Sequence, residues 1–130
     1  MAEHPNVALM RKGYQAFAEG DIATLDQLFA DDVVWHVTGR SQLAGDYKGK
    51  QEVFTFFGKI TELTGGTFKL DIHDVLANDD HVVVLVNSSA RRNGKSLSDN
   101  GVHVAHVRDG KTVEFWGFDS DQYAGDEFFS

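Results

Sequence analysis

The chain has 130 residues, a length typical of one domain, and 42% of them are hydrophobic, which is enough for a single core. A formal net charge of −8 argues against nucleic-acid binding, because that affinity comes mostly from lysine and arginine side chains that neutralise phosphates. There is no cysteine, which excludes disulfides and thiolate metal sites. Segment 1–5 is polar and no long apolar stretch follows it, so we expect one cytoplasmic domain, residues 1–130, without a targeting peptide or membrane span.

Three helical patterns occupy the first half of the chain. Apolar residues recur at helical spacing over 6–19, and Gly20 ends this first helix. Asp21 is a good N-cap for a second, short helix, which the apolar run 33–37 follows as a strand. Glycines mark 39–49 as a loop, and a third helix carries its buried stripe over 53–63.

The second half of the chain alternates with a period of two, which predicts strands. Turn sequences at 78–80, 92–95 and 108–111 separate four consecutive antiparallel strands of roughly ten residues each. A solvated hairpin accounts for the basic residues Arg91, Arg92 and Lys95. The tail 123–130 is too short to assign. Helices followed by an antiparallel meander predict an α+β domain whose helices cover one face of the sheet.

The order of elements and three local sequences resemble the SnoaL-like branch of the nuclear transport factor 2-like superfamily, which includes ketosteroid isomerase and the polyketide cyclases. The three sequences are Gly20-Asp21, Phe29-Ala30-Asp31-Asp32 and the loop from Gly39 to Gly49. The resemblance covers nearly the whole chain and implies a cone-shaped, curved antiparallel sheet wrapped around the N-terminal helices. Members of the superfamily range from enzymes to binding modules, so the fold does not fix an activity.

Three positions are similar to functional positions of ketosteroid isomerase. The general base of that enzyme stands three residues before a glycine, as His36 does before Gly39. Its oxyanion-hole aspartate lies nine residues after a hairpin glycine, and the same count from Gly94 reaches His103. Its last strand lines the pocket at positions that resemble Phe115, Gly117 and Asp119. The resemblance therefore implies that His36, His103 and Asp119 face one pocket as catalytic residues.

One position departs from this pattern. The oxyanion-hole tyrosine of ketosteroid isomerase would match Gly13, whereas the tyrosine of this chain is Tyr14, turned by about 100° on the helix. This difference argues against steroid isomerisation itself.

Each candidate also has a structural interpretation. His36 titrates near neutrality and suits a general base, but strand alternation puts it opposite Trp35, so it can equally be a partly exposed strand residue. His103 can donate a hydrogen bond to an oxyanion or be a core histidine bonded to the backbone. Asp119 can act as acid or base, or orient a histidine, or cap the terminal segment, for which Asp121 is the better candidate.

The remaining site predictions concern the pocket wall and cofactors. Ser88 is a polar residue that can orient a ligand carbonyl or hydroxyl. No His-x-His or His-x-x-x-His pair is present, and we predict neither a metal nor another cofactor. The apolar wall is predicted to include Tyr14, Phe17, Phe54, Phe57, Val84, Val86 and Phe115.

The other face of the sheet is also apolar. The last strand sends Trp116 and Phe118 away from Phe115 and Asp119, and the strand before it contributes residues to the same side. Apolar patches of this size usually mark an interface, so we expect a homodimer. Its predicted contact residues are Trp116, Phe118, Val104 and His106.

The sequence thus predicts a domain that binds a small hydrophobic molecule. The leading hypothesis is a cofactor-independent acid/base enzyme that performs isomerisation, cyclisation or dehydration, because this chemistry needs only a base, a donor and a dry pocket. The alternatives are a non-catalytic ligand-binding module and a dimerisation module without an open pocket.

Overall fold

The structure is a computed structural model that describes residues 3–130. Helix α1 starts with Pro5 in its first turn and ends at Gly20, whose φ of 68° is left-handed and favours glycine. Asp21 caps α2 by accepting a hydrogen bond from the Thr24 amide at 3.1 Å, as predicted. None of the helices in this part of the chain is long and apolar enough to cross a membrane. The helices are α1 (Pro5–Glu19), α2 (Ile22–Leu28), α3 (Lys50–Thr64) and α4 (Gln122–Phe128).

Six strands form one curved, unclosed sheet in the order β2-β1-β6-β5-β4-β3. The four predicted C-terminal strands are β3 to β6, and they pair antiparallel in sequence. The predicted curved α+β sheet is thereby confirmed, and it contains one pair that the sequence did not indicate, in which β1 runs parallel to β6. The predicted 39–49 loop also contains the edge strand β2. The strands are β1 (Phe29–Val37), β2 (Gly45–Lys48), β3 (Lys69–Ala77), β4 (His81–Arg92), β5 (Lys95–Arg108) and β6 (Lys111–Asp119).

The helices cover the concave face of this sheet, and two apolar clusters fill the space between them. Val7 and Met10 of α1 pack on Val82, Val84 and Val86 of β4. The other cluster joins α2 and α3 to β1, and its buried members include Leu25, Val33, Val53 and Phe57. The cavity described below lies between these clusters.

The tail that the sequence left unassigned forms α4, with Asp121 as its N-cap. Phe128 is fully buried, which anchors the helix. Arg92 Nη1 donates to the carbonyl oxygens of Phe128 and Ser130 at 3.0 Å, and Lys95 Nζ donates to that of Glu127. Arg92 and Lys95 therefore bind the C-terminal end of α4, where cations stabilise the free carbonyl groups. The expectation that these two residues are only solvated is wrong.

Candidate functional site

A cavity of about 180 Å³ lies between the helices and the concave face of the sheet. Aromatic side chains from α1, α3 and three strands form much of its wall. An engineered protein cavity of about 150 Å³ accommodates benzene, so this one suits a ligand of one or two small rings. No lysine or arginine lines the cavity in residues 3–130, whereas three aspartates do. Its polar lining residues are Tyr14, His36, Thr38, Ser41, Ser88, Asp99, His103, Thr112, Asp119, Gln122 and Asp126.

Tyr14 of α1 and His103 of β5 form a hydrogen-bonded pair in the cavity wall. The Tyr14 hydroxyl bonds to Nδ1 of His103, and the two rings are nearly parallel. Burial lowers the pKa of His103 to about 4, and burial raises the pKa of Tyr14 above its usual value. Both groups are therefore uncharged at neutral pH. The tyrosine displaced by one position from the family pattern still places its hydroxyl in the pocket.

This pair always leaves one hydrogen-bond donor for a ligand. A neutral imidazole carries one N–H and the phenol one O–H, and the bond between them uses one of these two hydrogens. If Tyr14 donates, Nε2–H of His103 is left, and if His103 donates, the phenol O–H is left. Nε2 has no protein partner in the described chain and is not sealed from the cavity. The pair can therefore stabilise negative charge on a ligand oxygen.

Asp119 ends β6 at the mouth of the cavity. Although the residue is exposed as a whole, its carboxyl end turns inward, where Oδ2 lies 2.6 Å from the position that a Cβ at Gly125 would take. Burial of the carboxyl group, followed by the charge of Asp99 and a hydrogen bond to it, raises the pKa of Asp119 to about 6. Asp126 and Asp121 add repulsion. Such a group exchanges protons close to neutral pH.

The sequence did not single out Asp99, which is a buried residue of β5. The Ser120 hydroxyl donates to its Oδ1, and the Ser120 amide donates to its Oδ2 at 3.3 Å. Across the sheet Asp99 pairs with Ser88. Strand parity could have found it, since residues 99 and 103 lie on the same face of one strand.

His103 and Asp119 face each other across a part of the sheet that bears no side chains. His103 pairs with Gly117 and Asp119 pairs with Gly101, so the two polar residues and the two glycines occupy opposite diagonals. A Cβ at Gly117 would lie 3.5 Å from Cδ2 and 3.7 Å from Nε2 of His103. The glycines thus keep the space between donor and carboxyl group open.

His36 borders the cavity, but its side chain makes its contacts elsewhere than predicted. Its ring stacks on Trp116, and its Nδ1 and Nε2 each lie 2.6 Å from a carboxylate, of Asp46 and Glu114 respectively. Burial opposes its protonation, but these hydrogen bonds outweigh it and raise the pKa of His36. The neighbouring Trp35 stacks on Phe115 inside the cavity, and because alternate residues of a strand face opposite sides, the His36 ring lies on the convex face. The prediction that the side chain of His36 points into the cavity beside His103 and Asp119 is therefore wrong.

The predicted wall residues divide into two groups. Tyr14, Phe17, Phe57, Ser88 and Phe115 line the cavity. Phe54, Val84 and Val86 do not line the cavity, and their predicted role as ligand contacts is wrong. Val84 and Val86 are buried beneath α1, and Phe54 packs on Phe29 in the cluster that joins α2 and α3 to β1. Strand parity and hydrophobicity alone cannot distinguish a core residue from one that lines the cavity.

The convex face carries the four residues expected there. Val104 pairs with Trp116 and Val102 with Phe118, and in this row the sheet continues through Val83 to Leu76. Phe118 is 45% exposed and Leu76 is 52% exposed. His106 Nδ1 lies 3.5 Å from a carboxylate oxygen of Glu114. On the same face, Val102, Val104 and Trp116 are partly exposed.

Comparisons with known proteins agree with this fold. A family model described as a SnoaL-like domain matches residues 10–115. The uncharacterized protein Rv0034 of Mycobacterium tuberculosis (strain ATCC 25618 / H37Rv) is 32% identical over 131 residues, which cover 100% of both chains. The structure of Bal32a, from a soil-derived mobile gene cassette, superimposes with a TM-score of 0.94 at 38% identity and covers 97% of each chain.

A more distant structure matches the fold alone. An NTF2-like protein from Burkholderia xenovorans LB400 is 21% identical and superimposes with a TM-score of 0.86 over 100% of this chain and 99% of that one. The resemblance inferred from the sequence is thereby confirmed for family and fold, and the chain belongs to the SnoaL-like domains of the NTF2-like fold.

Proposed function

We propose that this protein is a cofactor-independent acid/base enzyme that moves a proton on a small, neutral, hydrophobic carbonyl compound. The arrangement that carries the proposal is a carboxyl group, Asp119, placed opposite an uncharged donor pair, Tyr14 and His103, across a floor of two glycines. A putative SnoaL-like polyketide cyclase from Jannaschia Sp. CCS1 shares the fold, with a TM-score of 0.82 at 14% identity.

The reaction needs one base and one donor. The Asp119 carboxylate takes a proton from the carbon beside the carbonyl, and the electron pair of that C–H bond forms the C=C bond of an enolate. The negative charge that develops on the carbonyl oxygen accepts a hydrogen bond from the Tyr14–His103 pair. Protonated Asp119 then delivers its proton to another carbon, which gives isomerisation, or first exchanges that proton with solvent and then protonates the same carbon, which gives hydrogen exchange. General-base catalysis of this kind contributes about 10²–10⁴ in rate.

The charges around the cavity restrict the substrate. Asp99, Asp119 and Asp126 line it, and no cationic residue of the described chain does. An anionic ligand would be repelled by these carboxylates, because a like charge is strongly unfavourable in a partly desolvated site. We therefore propose neutral substrates of one or two rings, which the volume of about 180 Å³ accommodates.

Binding is testable because the chain has two tryptophans, one in the cavity and one on the convex face. In the Trp116→Phe variant, Trp35 is the single reporter and lines the cavity. We expect 2-indanone, a neutral ketone of two fused rings, to change its fluorescence. Indane-2-carboxylate at neutral pH should bind at least about tenfold more weakly, which corresponds to 1.4 kcal/mol. Equal affinity would contradict the charge argument.

Catalysis is testable without the natural substrate by following α-hydrogen exchange of 2-indanone in D₂O by proton NMR. The exchange rate should rise with pH through about 6, as Asp119 loses its proton, and level off above it. Asp119→Asn should lower the rate by about 10²–10⁴ and leave affinity within about tenfold. Asp71→Asn, an exposed aspartate of β3, is the matched control. Binding without exchange above the buffer rate would favour the non-catalytic ligand-binding module instead.

We further propose that the convex face pairs with the same face of a second copy of this chain. The six strands have four to fourteen residues and average just over nine, so at a spacing of about 4.8 Å and a rise of about 3.3 Å per residue they present an area on the order of 700 Å². This is close to the roughly 800 Å² that each partner contributes to a stable interface. The face has aromatic residues at its centre, Trp116 and Phe118, and both histidine and carboxylate groups around them.

A further inference from the structure

Asp99 and Asp119 line the same cavity, and Asp99 accepts hydrogen bonds from Ser120, the residue that follows Asp119 in the chain. Asp99 belongs to β5 and Asp119 to β6, and the residue between them on the concave face is Gly101, which pairs directly with Asp119. A Cβ at Gly101 would lie 3.7 Å from Oδ2 of Asp99 and only 2.9 Å from the backbone oxygen of Phe118. A side chain at position 101 would therefore press on the backbone of Phe118 and occupy the space beside the Asp99 carboxyl group.

The surroundings of the two carboxyl groups differ. Asp99 is buried and accepts two hydrogen bonds from Ser120, one from the hydroxyl and one from the amide. Asp119 has no such donor in residues 3–130, and its Oδ2 faces the bare backbone of Gly125. Hydrogen-bond donors stabilise the ionised form of a carboxyl group, so one negative charge shared by the pair is better placed on Asp99.

We propose that Asp99 is a positioning residue for Asp119: the two carboxyl groups share one proton, and Ser120 holds the negative charge on Asp99 so that the proton stays on Asp119. The proposal rests on the proposed function, in which Asp119 transfers the proton. Asp99 touches no reacting atom in this scheme. It makes Asp119 a proton donor and acceptor close to neutral pH, where an isolated carboxyl group would be fully ionised.

Other titratable groups near Asp119 also affect the charge of its carboxyl group, and a test has to separate them from Asp99. Asp126 on α4 and Asp121 at its N-cap repel the Asp119 carboxylate through space, without a hydrogen bond to it. His103 on β5 is uncharged above about pH 4, because burial lowers its pKa to about 4. Asp126→Asn therefore removes a nearby charge but not the shared proton, which makes it a matched control for Asp99→Asn.

The test is a carboxyl ¹³C NMR titration of the full chain labelled at aspartate, with the Asp119 signal assigned by its loss in Asp119→Asn. In the wild type the midpoint should lie near 6. Asp99→Asn should lower it by about one unit or more, since both a like charge and a hydrogen bond are lost, and Asp126→Asn should lower it less. Asp99→Ser, whose smaller side chain faces the cavity and leaves no void in the core, should repeat the shift.

A midpoint that both Asp99 variants leave unchanged, or move no further than Asp126→Asn does, would overturn the proposal. The pH profile of 2-indanone exchange should move to lower pH with the NMR midpoint, and its plateau should fall by less than about tenfold, because the weaker base remains in place. If the NMR midpoint moves as expected but the wild type catalyses no exchange, the shared proton stands and the proposed function fails.

Discussion

Burial of His103 makes the stability of the fold depend on pH in a direction that can be worked out. Its pKa is lowered to about 4 in the folded chain, against an ordinary value of about 6.5. Below pH 6.5 the unfolded chain takes up a proton at this histidine while the folded chain does not, so unfolding is favoured as pH falls. The loss should be about 2 kcal/mol at pH 5 and about 3 kcal/mol below pH 4, at 1.36 kcal/mol per pH unit.

Two other groups change the free energy of unfolding in the opposite direction as pH falls, so the pH dependence of the wild type does not report His103 alone. The pKa values of Asp119 and His36 are raised on folding, so both hold protons more tightly in the folded chain and add stability as pH falls. Both side chains are partly open to solvent, which weakens their contribution. The His103 effect therefore has to be measured as a difference between two proteins that share these groups.

The assay is urea unfolding of the wild type and of His103→Asn at about pH 7.5 and about pH 5. Asparagine keeps a polar atom close to the position of Nδ1, which can still meet the Tyr14 hydroxyl, but it does not titrate. Between these pH values the wild type should lose about 2 kcal/mol more than the variant. His73→Gln, an exposed histidine of β3, is the control and should behave as the wild type does. Identical pH dependence in the wild type and His103→Asn would mean that His103 is not held neutral in the pocket, and the donor pair would lose its basis.

Two further predictions follow from single positions. Light scattering at micromolar concentration should give twice the 14.4 kDa chain mass for the wild type and the single chain mass for Trp116→Glu. The control Tyr123→Glu, at a residue that is 88% exposed outside the convex face, should remain dimeric. A monomeric wild type would contradict the proposed interface. Gly125→Ala should reduce the rate of 2-indanone exchange, because its Cβ would lie 2.6 Å from Oδ2 of Asp119. The control Gly58→Ala should leave the rate unchanged, because its Cβ would meet nothing within 4 Å. Equal rates in both variants would show that Asp119 does not need this space.

The family resemblance predicts the location of two of the three proposed site residues. His103 and Asp119 lie on the concave face as the hairpin count and the position at the end of a strand indicated. His36 fails because the same alternation that buries Trp35 turns His36 outward, and a strand with helices on one face only cannot point both residues into the pocket. The motif match relied on distance to a glycine and did not include this parity.

The elements that the sequence missed depend on long-range contacts. Helix α4 has seven residues with Gly125 among them, and glycine inside a helix costs about 1 kcal/mol relative to alanine, so local propensity does not predict it. Its stability comes from burial of Phe128 and from Arg92 and Lys95 on the β4–β5 hairpin. The parallel pairing of β1 with β6 joins segments far apart in the chain, and β2 is only four residues long, so hydrophobic periodicity contains little information on either pairing.

The glycines of the site explain why a cavity remains where a core would otherwise close. Gly101, Gly117 and Gly125 are absent from the residues of positive φ, so their backbone conformation does not require glycine. What each supplies is space: Gly117 beside the imidazole of His103, Gly101 between the two carboxyl groups, and Gly125 against Oδ2 of Asp119. A side chain at any of these positions would cover or displace one polar group, and a glycine in a strand or helix interior carries a cost in stability that packing does not repay. At positions 117 and 125 the absence of a side chain is therefore better accounted for by access to His103 and Asp119 than by the needs of the fold, whereas at position 101 a Cβ would also lie 2.9 Å from the backbone oxygen of Phe118.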